Sequence, residues 1–394
     1  MKKNKIYSYG RQCLDDGDIT AVVNALKSNL ITQGPRVEEF ESCLARHFGS
    51  RYVTCVSNGT AALHLTGLSL GWKTGDIVIT SPITFVASAN AILYSSAIPD
   101  FVDIDPSTYT IDADCLEEKI KQYHKQGKQI SAVIGVDYAG HPCDWEALNR
   151  LAKKYGFQLV DDACHAIGSL YKNIPIGTGG NADATVFSFH AVKNITTGEG
   201  GAILTNNEVI DKKTKQLRNH GIIKEASFLE RGEGCWYYEM QDLGFNYRLT
   251  DIQCALGINQ LRKIDEFIHR RREVAAYYNE FFRTDERFII PAETKDIMHS
   301  YHLYPLQIRF ELISIRRKEL FSRLEQKNIF CQVHYLPVHL QPYYRDRFKF
   351  RQNDFPNAEL FYSRQISLPI HPGLEDSDLE YISQSLMEIV NNGK

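Results

Sequence analysis

Ser188-Phe-His-Ala-Val-Lys193-Asn-Ile-Thr-Thr-Gly198-Glu-Gly200-Gly201-Ala202 places one lysine in a glycine-flanked loop between two short apolar runs, Ala184–Phe187 and Ala202–Leu204. Runs of this length read as strands, so the lysine stands in a loop at a sheet edge. A lysine serves Schiff-base chemistry when its surroundings lower its pKa and supply a carbonyl partner. Glycines and small residues on either side let a flat molecule approach the backbone. Alone, the lysine is better read as a surface residue in a glycine-rich turn, because most lysines are exposed.

Three further strand ends carry chemistry. In Phe157-Gln-Leu-Val-Asp161-Asp162-Ala-Cys-His165-Ala an apolar strand runs into two acids and a histidine. A carboxylate there suits a cationic ring nitrogen, although strand-end acids also cap helices and bind metals. No third ligand joins His165 or His190 in a metal-binding spacing, so no metal site is expected. In Val56-Ser57-Asn58-Gly59-Thr60-Ala61-Ala62-Leu63 a strand turns into a helix start. Unpaired amides and the helix dipole make such a terminus a phosphate site, with an ordinary Ser57 or Asn58 cap as the plainer reading. In Ser81-Pro82-Ile-Thr84-Phe85-Val an aromatic follows another strand. It is placed to stack on a ring or simply to fill the core.

The pattern between Gly49 and Thr205 predicts strands over Tyr52–Val56, Ile77–Thr80, Pro99–Asp103, Ile130–Val136, Phe157–Val160, Ala184–Phe187 and Ala202–Leu204. Helices are expected over Thr60–Leu70, Phe85–Tyr94, Ala113–Gln126 and Asp144–Tyr155. Strands alternating with helices imply an α/β fold with a mostly parallel sheet covered on both faces. In such sheets ligands gather at the carboxyl ends of the strands, where all four motifs fall. Residues 1–35 read as an N-terminal arm, with a helix over Asp15–Ser28 and a turn at Thr32–Pro35. Residues 36–262 form the expected large domain and 263–394 a smaller C-terminal α+β domain. One long helical stretch over Leu249–Phe282 joins them, and Leu303–Ile308, Arg316–Lys327 and Asp376–Asn391 supply a strand and two helices.

Composition narrows the function. The 394 residues are 43% hydrophobic with a formal charge of -3, which gives no basic face for nucleic acid. Arg270-Arg271-Arg272 reads as a solvated or interface face. No apolar stretch is long enough for a membrane span, and the basic N-terminus lacks a signal-peptide core. Nine scattered cysteines without a CxxC pair fit reduced thiols and a cytoplasmic location.

Taken in chain order, phosphate turn, aromatic, strand-end carboxylate and glycine-flanked lysine resemble the fold-type-I pyridoxal-phosphate (PLP) enzymes. Over nearly the whole length the chain is similar to the sugar aminotransferases of the DegT/DnrJ/StrS group. The resemblance implies a Schiff base on Lys193, with Asp162 on the pyridine nitrogen and His165 beside the ring near its oxygen substituent. It implies a phosphate held by Ser188 and by the amides of Gly59, Thr60 and Ala61, and a ring stacked under Phe85. Gly244-Phe-Asn246-Tyr-Arg248-Leu-Thr-Asp251 matches a segment that crosses to the partner subunit, so a homodimer is implied in which Asn246 reaches the partner's phosphate. Tyr9, the turn Asn29, Leu30, Ile31, Thr32, and the loop Gln332, Val333, His334, Tyr335 match segments that line a nucleotide-sugar pocket. Phe228–Gln241 has no clear counterpart among the matching blocks.

The arm Tyr9-Gly-Arg-Gln-Cys-Leu-Asp-Asp, Leu30-Ile-Thr-Gln-Gly-Pro35 and Gln332-Val-His-Tyr-Leu-Pro-Val-His339-Leu-Gln-Pro-Tyr-Tyr resemble the branch that serves pseudaminic acid biosynthesis. That branch implies amination at carbon 4 of a UDP-linked 4-keto-6-deoxy-N-acetylhexosamine, with L-glutamate as donor. The alternatives are enzymes for UDP-4-keto-arabinose or for perosamine. A related sugar 3-dehydratase has histidine where Lys193 stands. Amino-acid-directed relatives would not be expected to carry the Gln332–Tyr344 block. A catalytically silent binding protein on the same scaffold is a further alternative, opposed by Lys193, Asp162 and Thr60.

Overall fold

The computed structural model describes residues 5–392. Seven strands form the central sheet: β1 (Tyr52–Val56), β2 (Ile77–Thr80), β3 (Ile98–Phe101), β4 (Ala132–Val136), β5 (Gln158–Asp162), β6 (Ala184–Ser188) and β7 (Gly201–Thr205). Their order is β1-β7-β6-β5-β4-β2-β3. All neighbours are parallel except β7, which runs antiparallel to both β1 and β6. The strands are nearly continuous apolar runs because both faces are covered.

Alternation assigns the two faces. Ile77, Ile79, Val133, Leu159, Phe187 and Leu204 pack in one core with Trp145, Leu148 and Ile258. Their neighbours Val78, Ile134 and Val160 pack on the other side with Ile92. Val186 and Ile203 join Ala61, Leu65 and Ala87 there. These last residues belong to α1 (Gly59–Ser69) and α2 (Val86–Tyr94), the two helices whose N-termini open at the carboxyl ends of β1 and β2. One residue of offset along each strand exchanges the faces, so the sheet register fixes which side chains reach the site.

The expected strands and helices of this region are present, with ends shifted by one or two residues. One helix reading needs correction and one helix is added. The stretch over Leu249–Phe282 is two helices, Asp251–Leu261 and Ile264–Phe282, broken at Arg262 and Lys263. The first opens on a Thr250/Gln253 capping box, and the Lys263 ammonium is tied to Asp15 and Asp18 at 2.8 and 2.6 Å. A helix over Pro35–Phe48, not among those expected, starts with proline in its first turn and stops at Gly49 in a left-handed conformation.

A second core gathers Val274, Tyr278, Phe282, Leu306, Ile308, Leu320, Ile366, Leu368 and Leu386 around a three-stranded sheet, Phe288–Ile289, Tyr304–Ile308 and Gln365–Leu368. Tyr7 belongs to this core as well, since Tyr7–Ser8 pairs in parallel with Ile329–Phe330. Arg271 departs from the solvated reading of its cluster. It is buried, and its guanidinium donates to the carbonyls of Tyr301, His302 and Ile370 at 3.0 to 3.2 Å. Burial brings its pKa down to about 10. Arg270 and Arg272 lie nearer the surface, in ion pairs with Asp376 and Glu293.

Candidate active site

A cavity of about 720 Å³ opens where β1, β2, β5 and β6 end. Its wall includes Tyr9, Gly59, Thr60, Ala61, Phe85, Asp162, His165, Ser188, Lys193, His334 and Tyr335, eleven of the residues picked out in the sequence.

Lys193 projects from a loop made stiff by its own side chains. Asn194 donates to the Ile167 carbonyl at 2.8 Å, Thr196 Oγ1 to the Phe189 carbonyl at 3.0 Å, and Gly198 N–H to Thr196 Oγ1 at 2.8 Å. Burial lowers the Lys193 pKa below the ordinary lysine range, against the opposing charges of Cys164 and Asp162. A lowered pKa gives the free amine that attacks a carbonyl or moves a proton.

Asp162 ends β5, buried, with Ser88 Oγ donating to Oδ2 at 2.6 Å and Cys164 N–H to Oδ1 at 3.3 Å. Ser88 is fixed in turn by Thr84 Oγ1 at 2.7 Å. The carboxylate is thus oriented before any ligand arrives.

The turn at Asn58 opens α1. Asn58 Oδ1 accepts from Ala61 N–H at 2.8 Å, which caps the helix and occupies one of the three expected phosphate donors. The Gly59 and Thr60 amides occupy the first helical positions, where no intrahelical acceptor exists, and they remain for an anion. Packing is tight here. A Cβ on Gly59 would stand 3.0 Å from Ser188 Cβ, and one on Gly201 would stand 2.6 Å from the Asn58 carbonyl carbon and oxygen. The glycines therefore make the cradle by admitting β7 and β6 close to the helix start.

His165 is held in one tautomer. Ala139 N–H donates to Nδ1 at 3.2 Å, so the ring proton sits on Nε2, 3.1 Å from the Tyr335 hydroxyl. Burial, then the charges of Lys193 and His334, push its pKa well below the usual histidine value, and the ring is neutral. Tyr335 accepts that Nε2–H, which leaves its own O–H free to donate, and burial raises its pKa. Phe85, 55% exposed, faces the Tyr335 ring at 5.8 Å. His334 is buried, bonded through Nδ1 to Ser367 Oγ at 2.8 Å, and held by burial at a pKa of about 3. Tyr9 stands against it, ring centroids 5.0 Å apart.

Other residues picked out in the sequence lie elsewhere. Gln332 and Val333 precede the wall, with Gln332 bridged to Ser367. Asn29, Leu30, Ile31 and Thr32 are exposed, and Thr32 bridges Thr250 while Ile31 accepts from Asp251 N–H. Asn246 is exposed and bridges Asn219. The arm turn and the Gly244–Asp251 segment are thus gathered together at the surface, and Tyr247 of that segment lines this cavity while Asn246 does not. The structure also adds wall residues that sequence reading passed over: Ser88, Cys164, Glu199, Tyr247 and His302. Ser88 lies one helical turn after Thr84 on α2, a spacing that could have marked it.

An amine of lowered pKa, an oriented carboxylate and free helix-start amides fit a flat, anionic, carbonyl-bearing cofactor. The DegT/DnrJ/EryC1/StrS aminotransferase family model matches residues 12–387. An uncharacterized protein, MJ1066, of Methanocaldococcus jannaschii is 42% identical over 98% of this chain and 97% of its own. The UDP-4-amino-4,6-dideoxy-N-acetyl-beta-L-altrosamine transaminase of Campylobacter jejuni (serotype O:2) is 37% identical over 98% of each chain. Among solved structures, Helicobacter pylori PseC, an aminotransferase of pseudoaminic acid biosynthesis, superposes with a TM-score of 0.89 at 34% identity, covering 98% of this chain and 100% of that one. The putative sugar aminotransferase Spr1654 of Streptococcus pneumoniae, solved in PLP-form and PMP-form, matches with a TM-score of 0.89 at 29–30% identity over 99% of this chain and 100% of that one. The chain belongs to the DegT/DnrJ/EryC1/StrS aminotransferase family and is a PLP-dependent sugar aminotransferase.

Proposed function

We propose that the enzyme transfers the amino group of L-glutamate to carbon 4 of a UDP-linked 4-keto-6-deoxy-N-acetylhexosamine, a step of pseudaminic acid biosynthesis. The observation that carries this reading is the polar wall of Tyr9, His334 and Tyr335 on the same cavity as Lys193. The Campylobacter and Helicobacter relatives support the choice of sugar.

PLP, when bound, supplies the carbonyl that takes up the amino group and a ring that withdraws electrons from the reacting carbon. The chain does the rest. Lys193 Nζ carries a proton from the amino-bearing carbon and returns it in the second half of the cycle. Asp162, locked by Ser88, holds the proton of the ring nitrogen. Gly59 and Thr60 N–H, with Ser188, hold the phosphate. His165 and Phe85, both on the cavity wall, would flank the ring, His165 near its oxygen substituent and Phe85 across its face. Tyr335 O–H, freed by its bond from His165, donates into the substrate space. Paired polar contacts of this kind reject a wrong sugar by leaving donors unmatched.

The working unit in this reading is a homodimer. Asn246 and the turn Asn29–Thr32 reach the partner's cavity, a reading supported by their exposure and by their not lining their own. Apolar Leu26, Leu30 and Ile31 are exposed beside them. Nine free cysteines fit a reducing cytoplasm.

The decisive experiment incubates the enzyme with glutamate and three sugars: this one, its D-configured isomer and UDP-4-keto-arabinose. Products are identified by mass spectrometry and NMR. A kcat/KM roughly tenfold higher for either competitor, about 1.4 kcal/mol in the transition state, overturns the sugar assignment. For the shared site, Lys193→Ala is mixed with a severely impaired Asn246 variant. Recovered activity in hybrid dimers is expected, and none despite proven subunit exchange refutes it.

A further inference from the structure

Two more carboxyl groups are packed behind Asp162, on the other face of the sheet. Along β5, Asp161 shares the face of Leu159, while Asp162 shares that of Val160 and lines the cavity. Asp137 follows β4, whose Val136 is paired with Asp162, and Asp137 N–H donates to the Asp162 carbonyl at 3.1 Å. Both Asp137 and Asp161 are completely buried.

One oxygen of each is satisfied. Asp137 Oδ1 accepts from Cys143 N–H at 2.7 Å, and Asp161 Oδ2 accepts from the Thr185 hydroxyl at 3.2 Å. The other two, Asp137 Oδ2 and Asp161 Oδ1, have no donor from any other group. Asp161 is in register with Gly135, two residues before Asp137, so the two acids are diagonal neighbours on one face of the sheet. Ionised carboxylates only accept, so the two leftover oxygens can satisfy each other only with a proton between them.

We propose that Asp137 and Asp161 share one proton and are positioning residues for Asp162, leaving a single negative charge behind it that strengthens the site's hold on the protonated ring of PLP. An apolar or amide pair would fill the same space without that charge. Burial raises both groups, and the Asp162 charge adds to each. The Cys143 and Thr185 donors oppose this. Asp137 has the stronger donor, a backbone N–H at 2.7 Å against a hydroxyl at 3.2 Å on Asp161, so the charge resides on Asp137 and the proton on Asp161.

Two substitutions of nearly equal shape separate the charge from the packing. In Asp161→Asn the amide N–H donates to Asp137 in place of the shared proton, and the charge stays. In Asp137→Asn the Asp161 O–H donates to the amide oxygen, and the charge is lost. Infrared spectra of the cofactor-free protein, labelled with carbon-13 aspartate, should show a protonated-carboxyl band in wild type and Asp137→Asn but not in Asp161→Asn. With PLP labelled at the ring nitrogen, nitrogen-15 NMR should show the ring losing its proton about one pH unit lower in Asp137→Asn. Asp161→Asn should titrate as wild type. A band that survives in Asp161→Asn, or equal ring shifts in both variants, overturns the proposal. Should Asp137→Asn not fold, Asp137→Ser removes the same charge and is held to the same outcomes. The infrared arm needs no cofactor, so loss of PLP binding is not mistaken for failure of the acid pair.

Discussion

Replacing Gly201 by alanine puts the cofactor cradle itself under load. The added methyl would sit 2.6 Å from the Asn58 carbonyl carbon and oxygen and 2.8 Å from Gly59 N. All three are backbone atoms, so no rotamer change relieves the contact. Gly201 is paired with Val56 on one side and Ser188 on the other, so its own strand has little freedom to retreat. Ordinary contact begins near 3.4 Å, and the start of α1 must therefore move by roughly 0.8 Å. Overpacking of this kind costs about 1–3 kcal/mol, and a clash between two paired backbones belongs at the upper end. The shift falls on Gly59 and Thr60, whose amides are proposed to hold the phosphate. We expect PLP to bind about 100-fold more weakly, near 2.7 kcal/mol, while the protein stays folded. Gly198→Ala is the control: its φ of +79° carries strain of about 1–2 kcal/mol, but nothing lies within 4 Å of the new methyl. Calorimetry of the cofactor-free proteins and titration with PLP by absorbance separate the two effects. Wild-type PLP affinity in folded Gly201→Ala would refute the cradle argument.

Other outcomes follow from the same geometry. Borohydride reduction of the loaded enzyme should fix the cofactor on Lys193, by peptide mapping, and a tag on another lysine overturns the assignment; Lys193→Ala should bind PLP and complete neither half-reaction. Buried His334 and His371 hold pKa values of about 3 and about 4 against 6.5 for a free histidine. The unfolded chain then binds more protons below pH 6.5, so their contribution is complete above that pH and is lost as pH falls toward 4 and 3. At pH 5 each should have lost about 2 kcal/mol, and urea unfolding of His334→Gln should show a shallower decline between pH 7 and 5 than wild type; an unchanged slope contradicts the assignment. Arg271→Gln leaves buried carbonyls of Tyr301, His302 and Ile370 short of donors and should cost about 2–4 kcal/mol by urea unfolding, whereas Arg272→Gln at its half-exposed neighbour should cost under about 1 kcal/mol.

What the sequence disclosed and what it hid have the same physical origin. Buried strands leave near-continuous apolar runs, and the turns that follow them are punctuated by glycine, so β1 through β7 and the cradle residues Gly59, Thr60 and Lys193 are legible locally. Ser88 looks like any small helical residue until the fold brings it 2.6 Å from Asp162, 74 positions away. His302 joins the wall from the second core and has no local signature at all. Arg271 is hidden between two arginines of identical appearance, and only the packing of its helix against Tyr301 and Ile370 separates it from them. The break at Arg262 and Lys263 contains neither glycine nor proline, so nothing short-range marks it. Asn246 and Asn29–Thr32 are legible only through family resemblance, since in a single chain they lie apart from the cavity.

The parallel pairing of Tyr7–Ser8 with Ile329–Phe330 sets an order of events during synthesis. Tyr9, which helps line the cavity, follows directly on that strand, and its N–H donates to the Phe330 carbonyl at 2.9 Å. Residues 7–9 must therefore wait for residues 329–330. At about 5–20 residues per second the delay is roughly 15–65 s, long after the residues of the seven-stranded sheet have emerged. Chains that stop short of residue 329 have the proposed cofactor cradle but an unanchored Tyr9, so that wall of the cavity is completed only after the strand Ile329–Phe330 is made.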